Sequence, residues 1–419
     1  MTSSAPPAAF VATRPSSIAM LTFMVALGQM SLGLYLPSLP SLAQAIGATR
    51  AEAQLTLTVF LGGFAVSQLF WGPLADRLGR RITLLSGMVI YAAAGLACAQ
   101  ADTIHELIAF RFFQALGACS GQVVARAMVR DSTEGAATAV VMSYIAMSMS
   151  LAPAITPALG GFLETHFGWR ANFIALGAIG ATLFVLTLTR VPETLKTRVH
   201  DALSPIRIVR NYGTLLTDRT YVCYIVTVGG IFGAYMAYTT ATPFVLMEML
   251  GWSPQAFGFL ILFNVVAFLT GSIVAGRLAP LYGPRRMARI GTTIGLAAGL
   301  AMIAAPLMGH LSTPAVIGPA MLLLVGMAFA IPNAMAGAMQ NFPFIAGSAS
   351  AFLGFSQMAQ AMVASFVVGA IGGNIHLTMA GATLACTVAS LTAAALLPRP
   401  QPVRPVPETT ANQISSPPS

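Results

Sequence analysis

The sequence predicts an all-α, polytopic membrane protein with twelve transmembrane helices in two pseudo-symmetric six-helix halves. Three observations carry this. First, apolar residues make up 56% of the 419 residues and charged residues only 8%, with a mean hydropathy of +0.79. A soluble domain has about a quarter charged residues, so the chain cannot cover a water-facing surface, and the composition excludes a soluble enzyme. Second, the apolar residues form continuous runs of about twenty, the length a helix needs to cross hydrocarbon. Barrel strands would instead alternate over about ten residues. Third, the basic residues gather on one side of the runs, as they do in cytoplasmic loops.

The elements follow in order. Residues 1–17 are polar and Pro/Ser/Ala-rich, and are read as a cytoplasmic tail. The first run, Ile18–Leu39, is long for a signal-peptide core and more spans follow it, so it is read as an uncleaved first helix. Further spans are predicted at 53–74, 82–100, 105–128, 137–162 and 169–189. These complete an N-terminal bundle over 18–189, and a polar stretch at 190–219 reads as a central cytoplasmic loop. A C-terminal bundle over 220–397 holds spans at 221–245, 255–279, 287–308, 315–335, 348–372 and 377–396. The Pro/Ser-rich tail at 398–419 is expected to be disordered and cytoplasmic.

Charge orients these spans. With the N-terminus inside, the inner loops and tails hold seventeen of the 21 Lys and Arg, and the outer loops hold two, Arg50 and Arg170. Arg111 and Arg126 lie within the fourth span. The formal net charge of +9 therefore follows from membrane topology, and no nucleic-acid partner is expected. The expected location is the cell (inner) membrane with both termini cytoplasmic. Cys98, Cys119, Cys223 and Cys386 sit far apart in apolar runs, which reads as buried thiols without a metal site. No HExxH, G-x-S-x-G or Walker loop is present, and Lys196 is the only lysine, so neither an enzyme nor an ATP-driven pump is expected.

An internal repeat supports the two halves. Gly72-Pro-Leu-Ala-Asp76-Arg77-Leu-Gly79-Arg80-Arg81 closes the second span, and Gly276-Arg277 through Gly283-Pro-Arg285-Arg286 closes the eighth, with the glycines repeating at an offset of 204. Two halves of matching topology point to a transporter with its site between them, near the bilayer midplane.

GPLADRLGRR at 72–81 closely resembles the signature loop of the major facilitator superfamily. YLPSLP at 35–40, RFFQALGACSGQVVARAMVRD at 111–131 and FPFIAGSASAFLG at 342–354 narrow the resemblance to the Bcr/CflA branch of drug:proton antiporters. The resemblance covers about residues 18–397 and implies the major facilitator fold, small-molecule export by alternating access, and a proton as coupling ion, with no other cofactor. A monomer is expected, with the lipid bilayer and a small-molecule substrate as its partners. The alternative on the same fold is uptake, or proton-independent transport, of a small neutral or anionic metabolite.

The resemblance assigns roles residue by residue. Gly72, Asp76, Arg77, Gly79, Arg80 and Arg81 would form an ionic latch between the halves. In span five, Pro153, Pro157, Gly160 and Gly161 interrupt a long helix, because proline removes a backbone hydrogen bond and glycine admits a close neighbour. This segment resembles the antiporter motif, with Thr156 in place of its usual glycine. Arg111 matches the span-four arginine, and a charge in a span normally faces a cavity or a partner. Gln29, Gln114, Tyr238 and Gln357 are the other candidate substrate contacts. Arg126, about a turn from the inner end, is expected to snorkel beside Arg130 and Asp131.

The branch usually carries an aspartate two residues before Tyr-Leu-Pro, where this chain has Gly33. No Asp or Glu lies in the middle of a predicted span. Three routes stay open: a peripheral acid such as Glu248 turns into the cavity, coupling runs through Asp76 or Asp131, or transport proceeds without protons or with an anion.

Overall fold

The computed structural model describes residues 15–195, 204–342 and 345–398. Its helices in the first half are α1 (Pro15–Gly33), α2 (Leu39–Ala45), α3 (Arg50–Leu78), α4 (Arg80–Gln100), α5 (Ile104–Ser132), α6 (Gly135–Phe167) and α7 (Trp169–Arg190). In the second half they are α8 (Pro205–Thr217), α9 (Arg219–Pro243), α10 (Pro254–Leu307), α11 (Thr313–Met339), α12 (Ala346–Ala370) and α13 (Ile375–Ala395). Among the described residues there is no strand.

Among the described residues, eleven helical segments are long and apolar enough to cross a membrane. One of them, α10, has 54 residues. At 1.5 Å per residue it would measure about 80 Å, more than twice the hydrocarbon thickness. Its backbone leaves helical geometry at Gly283, with φ 71° and ψ 165°. The segment is therefore two spans meeting at that glycine, and the total is twelve. Gly79 takes φ 106° at the matching turn of the first half. A Cβ is disfavoured at positive φ, so the repeated glycines are what let each short turn form.

The basic residues of the two loops repeat a function as well. Arg81 donates from Nη2 to the Leu188 carbonyl at 2.7 Å, in the last turn of α7. Arg285, 204 positions on, donates to the Leu397 carbonyl at 2.5 Å, just past α13. Each guanidinium satisfies carbonyls that a helix end leaves without partners. Both loops lie on one side of the bundle, here called the basic face.

The structure differs from the sequence reading at two elements. The first span stops at Gly33, passes through a 3₁₀ turn at Leu36–Ser38 and resumes as α2, with Pro37 and Pro40 at the two restarts. The stretch 190–219 contains the helix α8, whose Asn211 donates to Ser348 Oγ at 3.1 Å and whose Tyr212 ring lies 5.1 Å from that of Phe352. The tails read at 1–17 and 398–419 fall almost wholly outside the described residues.

On the face opposite the basic loops, local sequence sets the helix starts. Thr49 with Glu52 and Thr103 with Glu106 form reciprocal capping boxes at α3 and α5. The halves close on each other here. Arg50 pairs with Glu248 at 2.5 Å, Gln54 donates to the Thr240 carbonyl at 3.4 Å, and Thr58 shares a hydrogen bond with Ser365 at 2.9 Å. The four-residue spacing puts all three on one stripe of α3. Beside them α6 crosses α10 with almost no side chain between. A Cβ on Gly258 would sit 2.5 Å from the Pro157 oxygen and 2.8 Å from Ala158 Cα, and one on Gly161 would meet the Pro254 carbonyl.

Gly258→Val is therefore expected to force the halves apart on this face. Spin labels at Gln44 and Met249, both exposed there, should report a longer distance distribution by electron–electron resonance than in the parent protein. An unchanged distribution would mean that the crossing does not hold the face shut.

Candidate substrate cavity

A cavity of about 700 Å³ lies between the two halves. This is a volume suited to a drug-sized ligand. Its lining reaches the basic face at Gly72, Asp76, Arg130, Tyr212 and Ser348, and includes no residue from the loops on the opposite face. The cavity is thus open to the basic face and shut above by the Arg50–Glu248 layer.

Its two walls differ chemically. The first half contributes Gln29 from α1, Gln68 from α3 and Gln122, Arg126 and Arg130 from α5. Those three α5 residues follow at four-residue spacing and so share one helix face. The second half contributes a wall that is mainly apolar, including Phe232, Ile261, Phe268, Leu324, Met327 and Ile331. Its polar groups include Tyr235, Asn264 and Gln357, and it carries no charge. Met142, Met149, Met327, Met335 and Met358 also line the space, and thioether side chains adapt to varied shapes.

Of the five candidate substrate contacts, Gln29 and Gln357 line the cavity. Tyr238 stands one layer back, its hydroxyl accepting from Asn264 Nδ2 at 2.9 Å. Arg111 and Gln114 lie in the closed layer above, both with no exposed surface. The Arg111 guanidinium donates to Gln114 Oε1 at 2.7 Å and to the Ser31 carbonyl at 3.1 Å. Its Cζ sits 4.2 Å from the ring centroids of both Tyr35 and Phe60, and 5.8 Å from that of Phe173. Aromatic faces replace the carboxylate that a buried cation ordinarily requires. Arg111 Nε and Gln114 Nε2 have no hydrogen-bond partner among the described residues.

The signature loop lies at the mouth. Gly72, Asp76 and Arg80 line the cavity, while Arg77 is exposed. Arg80 pairs with Asp76 at 2.6 Å and with Asp131 at 2.8 Å, so the ion pairs remain within the first half. Glu193 accepts from the backbone N–H of Arg80 at 2.9 Å and of Arg81 at 3.3 Å, placing an acid on the N-terminus of α4. Arg126 does not join Asp131, as its sequence position had predicted. Arg80 takes that carboxylate, and Arg126 donates to Met149 Sδ at 2.8 Å. The four-residue spacing on α5 was the signal that places Arg126 on the cavity wall.

In α6, Pro153 reaches the cavity. Gly160 packs against the Leu34 carbonyl and Gly161 against Pro254, so Pro157 and these glycines belong to the closed layer. Gly33 also packs there: a Cβ on it would run into Thr156 Oγ1, which donates to the Ala152 carbonyl at 2.7 Å. The position that resembles the branch's acid site is filled from the neighbouring helix. Glu248 is taken by Arg50, which leaves Asp76 as the carboxylate on the cavity wall among the described residues.

The Major Facilitator Superfamily model matches residues 19–365 and 227–417. The chain is 30% identical over 364 residues to the Bicyclomycin resistance protein homolog of Haemophilus influenzae, covering 85% of this chain and 89% of that protein. It is also 30% identical over 335 residues to Multidrug resistance protein D of Escherichia coli, covering 80% and 84%. Among solved structures it is similar to the D-xylose-proton symporter, with a TM-score of 0.69 at 17% identity, over 91% of this chain and 97% of that one. The chain belongs to the Major Facilitator Superfamily and to its Bcr/CflA-type branch. It is a multi-pass membrane transporter, not an enzyme.

Two variants test the site's construction. Arg80→Ala strips both carboxylates of their partner, and should lower stability by about 2 kcal/mol, the scale of a hydrogen bond to a charged group. Thermal unfolding in detergent would register this as a lower midpoint, and an unchanged midpoint would show the cluster to be structurally idle. Gly33→Asp should reduce the yield of monodisperse protein, and adding Thr156→Gly should restore it. If the single variant is as well folded as the parent, the packing described here is wrong.

Proposed function

We propose that the protein exports small drug-like or toxic compounds by alternating access, driven by the proton gradient. The observation that carries this is the cavity itself: drug-sized, between two repeated halves, open to one face and shut at the other. In this reading the basic face is cytoplasmic, both termini lie there, and the structure is the inward-open state. A closed form would bring the loop at Gly72–Arg81 against the second half, and Gly72 now has open space where a Cβ would point. The relatives named for bicyclomycin and multidrug resistance support export over uptake. Proton coupling is assigned to Asp76, because this residue lines the cavity and its carboxylate is paired with Arg80. One chain's own helices complete the cavity, which fits a monomer.

The test is accumulation of neutral, anionic and cationic compounds in an efflux-deficient host, with and without a protonophore. Export predicts lowered accumulation that the protonophore restores, and loss of that difference in Asp76→Asn. Raised accumulation would reverse the direction, and protonophore-insensitive export would remove the proton.

A further inference from the structure

We propose that the cavity selects amphipathic anions, with Arg126 gripping a carboxylate or similar acidic group while the substrate's apolar body lies against the second half. The proposal rests on the reading of this cavity as the transport site.

Charge in the lining is confined to one wall: Asp76, Arg80, Arg126 and Arg130 all come from the first half. These are three cations and one anion, and they are not equivalent. Arg80 is committed to Asp76 and Asp131. Arg126 and Arg130 form no ion pair among the described residues. Arg130 is exposed near the mouth, whereas Arg126 lies one turn deeper and is partly buried.

The partner that Arg126 does have is a poor one. A guanidinium offers five donors, and a thioether sulfur is a weak acceptor. Its Nη2 points at Met149 Sδ, 2.8 Å away. A cation held within a membrane-spanning segment is costly, and such residues characteristically serve a partner. Among the described residues no carboxylate pairs with it, so the partner is one that arrives with the ligand. Arginine suits that role because its planar fork binds a carboxylate through two parallel hydrogen bonds. Gln122, one turn deeper on the same α5 face, offers an amide donor beside it.

Arg111 does not compete for this role in the observed state. It is enclosed by Tyr35, Phe60 and Phe173 and has no exposed surface. The opposite wall explains the other half of the specificity. Phe232, Phe268 and Met327 offer hydrophobic contact but no charge, so a substrate that is ionic at both ends finds no second site.

The experiment is fluorescence binding to the full chain in phosphatidylcholine nanodiscs, with empty discs subtracted. The probes are dansyl-phenylalanine, its neutral amide and a dansyl alkylammonium of similar size. The carboxylate should bind at least about tenfold more tightly than the amide, and the ammonium more weakly than either. Arg126→Gln should bring the carboxylate-to-amide ratio to about one, and Arg126→Lys should keep most of the preference. Equal binding of carboxylate and amide by the parent protein would overturn the proposal, as would a preference that survives Arg126→Gln. The parent ratio decides even where a variant fails to fold. Met335→Trp, which fills the cavity, separates the two readings. If it weakens all three probes while the charge preference is absent, the cavity stands and only the anion assignment falls. If it weakens none, the probes bind elsewhere and the transport-site reading falls with it.

Discussion

The backbones of α6 and α10 touch because glycine stands on both sides of their crossing. Gly161 lies against the Pro254 carbonyl, and Gly258 lies within van der Waals reach of Pro157 and Ala158. In a bilayer there is no hydrophobic gain from moving a side chain out of lipid onto another helix, so association depends on close packing and on hydrogen bonds. The crossing supplies the first. The stripe of Arg50, Gln54 and Thr58 on α3 supplies the second, reaching Glu248, Thr240 and Ser365. With this face held shut, two helical bundles that taper apart toward the basic face must leave a space between them, and that space is the cavity.

Charge is distributed consistently with this geometry. On the closed face the acids serve the fold: Glu52 and Glu106 complete capping boxes, Asp102 pairs with Arg170 at 3.0 Å, and Glu248 holds Arg50. The fully buried guanidinium of Arg111 in that layer lies against three aromatic rings and donates to two oxygen acceptors. A carboxylate at position 33 has no room, because Thr156 occupies it. Gly33 and Thr156 therefore form one packing unit: a side chain on α6 fills the space that a larger residue at position 33 of α1 would need.

Much of the architecture was legible in the sequence. The spans showed as apolar runs and the repeat in glycines spaced by 204. The site was legible only in part, for a physical reason. A helix that faces lipid on one side and other helices on the other is apolar all round, so the sequence does not reveal which face turns inward. Gln29 and Gln357 turned toward the cavity, whereas Arg111 and Gln114 turned into the closed layer and Tyr238 stands behind Asn264. Where a rotational signal existed, as with Gln122, Arg126 and Arg130, it lay in the spacing of polar residues. The helix α8 was hidden because 190–219 is polar overall, and its buried side, with Tyr212 on Phe352, is only one stripe wide.

The repeated loops bind each half to itself. In the first half Gly79 makes the turn, Arg81 closes α7 and Glu193 sits on the start of α4. In the second, Gly283 makes the turn while Arg285 and Arg289 bind the last carbonyls at the end of α13. Every one of these bonds joins elements of the same half. The helix α8 follows the rule, since Asn211 and Tyr212 attach it to α12. Toward the basic face, then, each half is tied to itself, and the ties between halves are concentrated at the opposite face. On the proposed alternating access, the interface between the halves is where bonds would have to change. Under that proposal each half would move as a body, and the α6–α10 crossing with the Arg50–Glu248 layer would be the contacts that part when the opposite face opens.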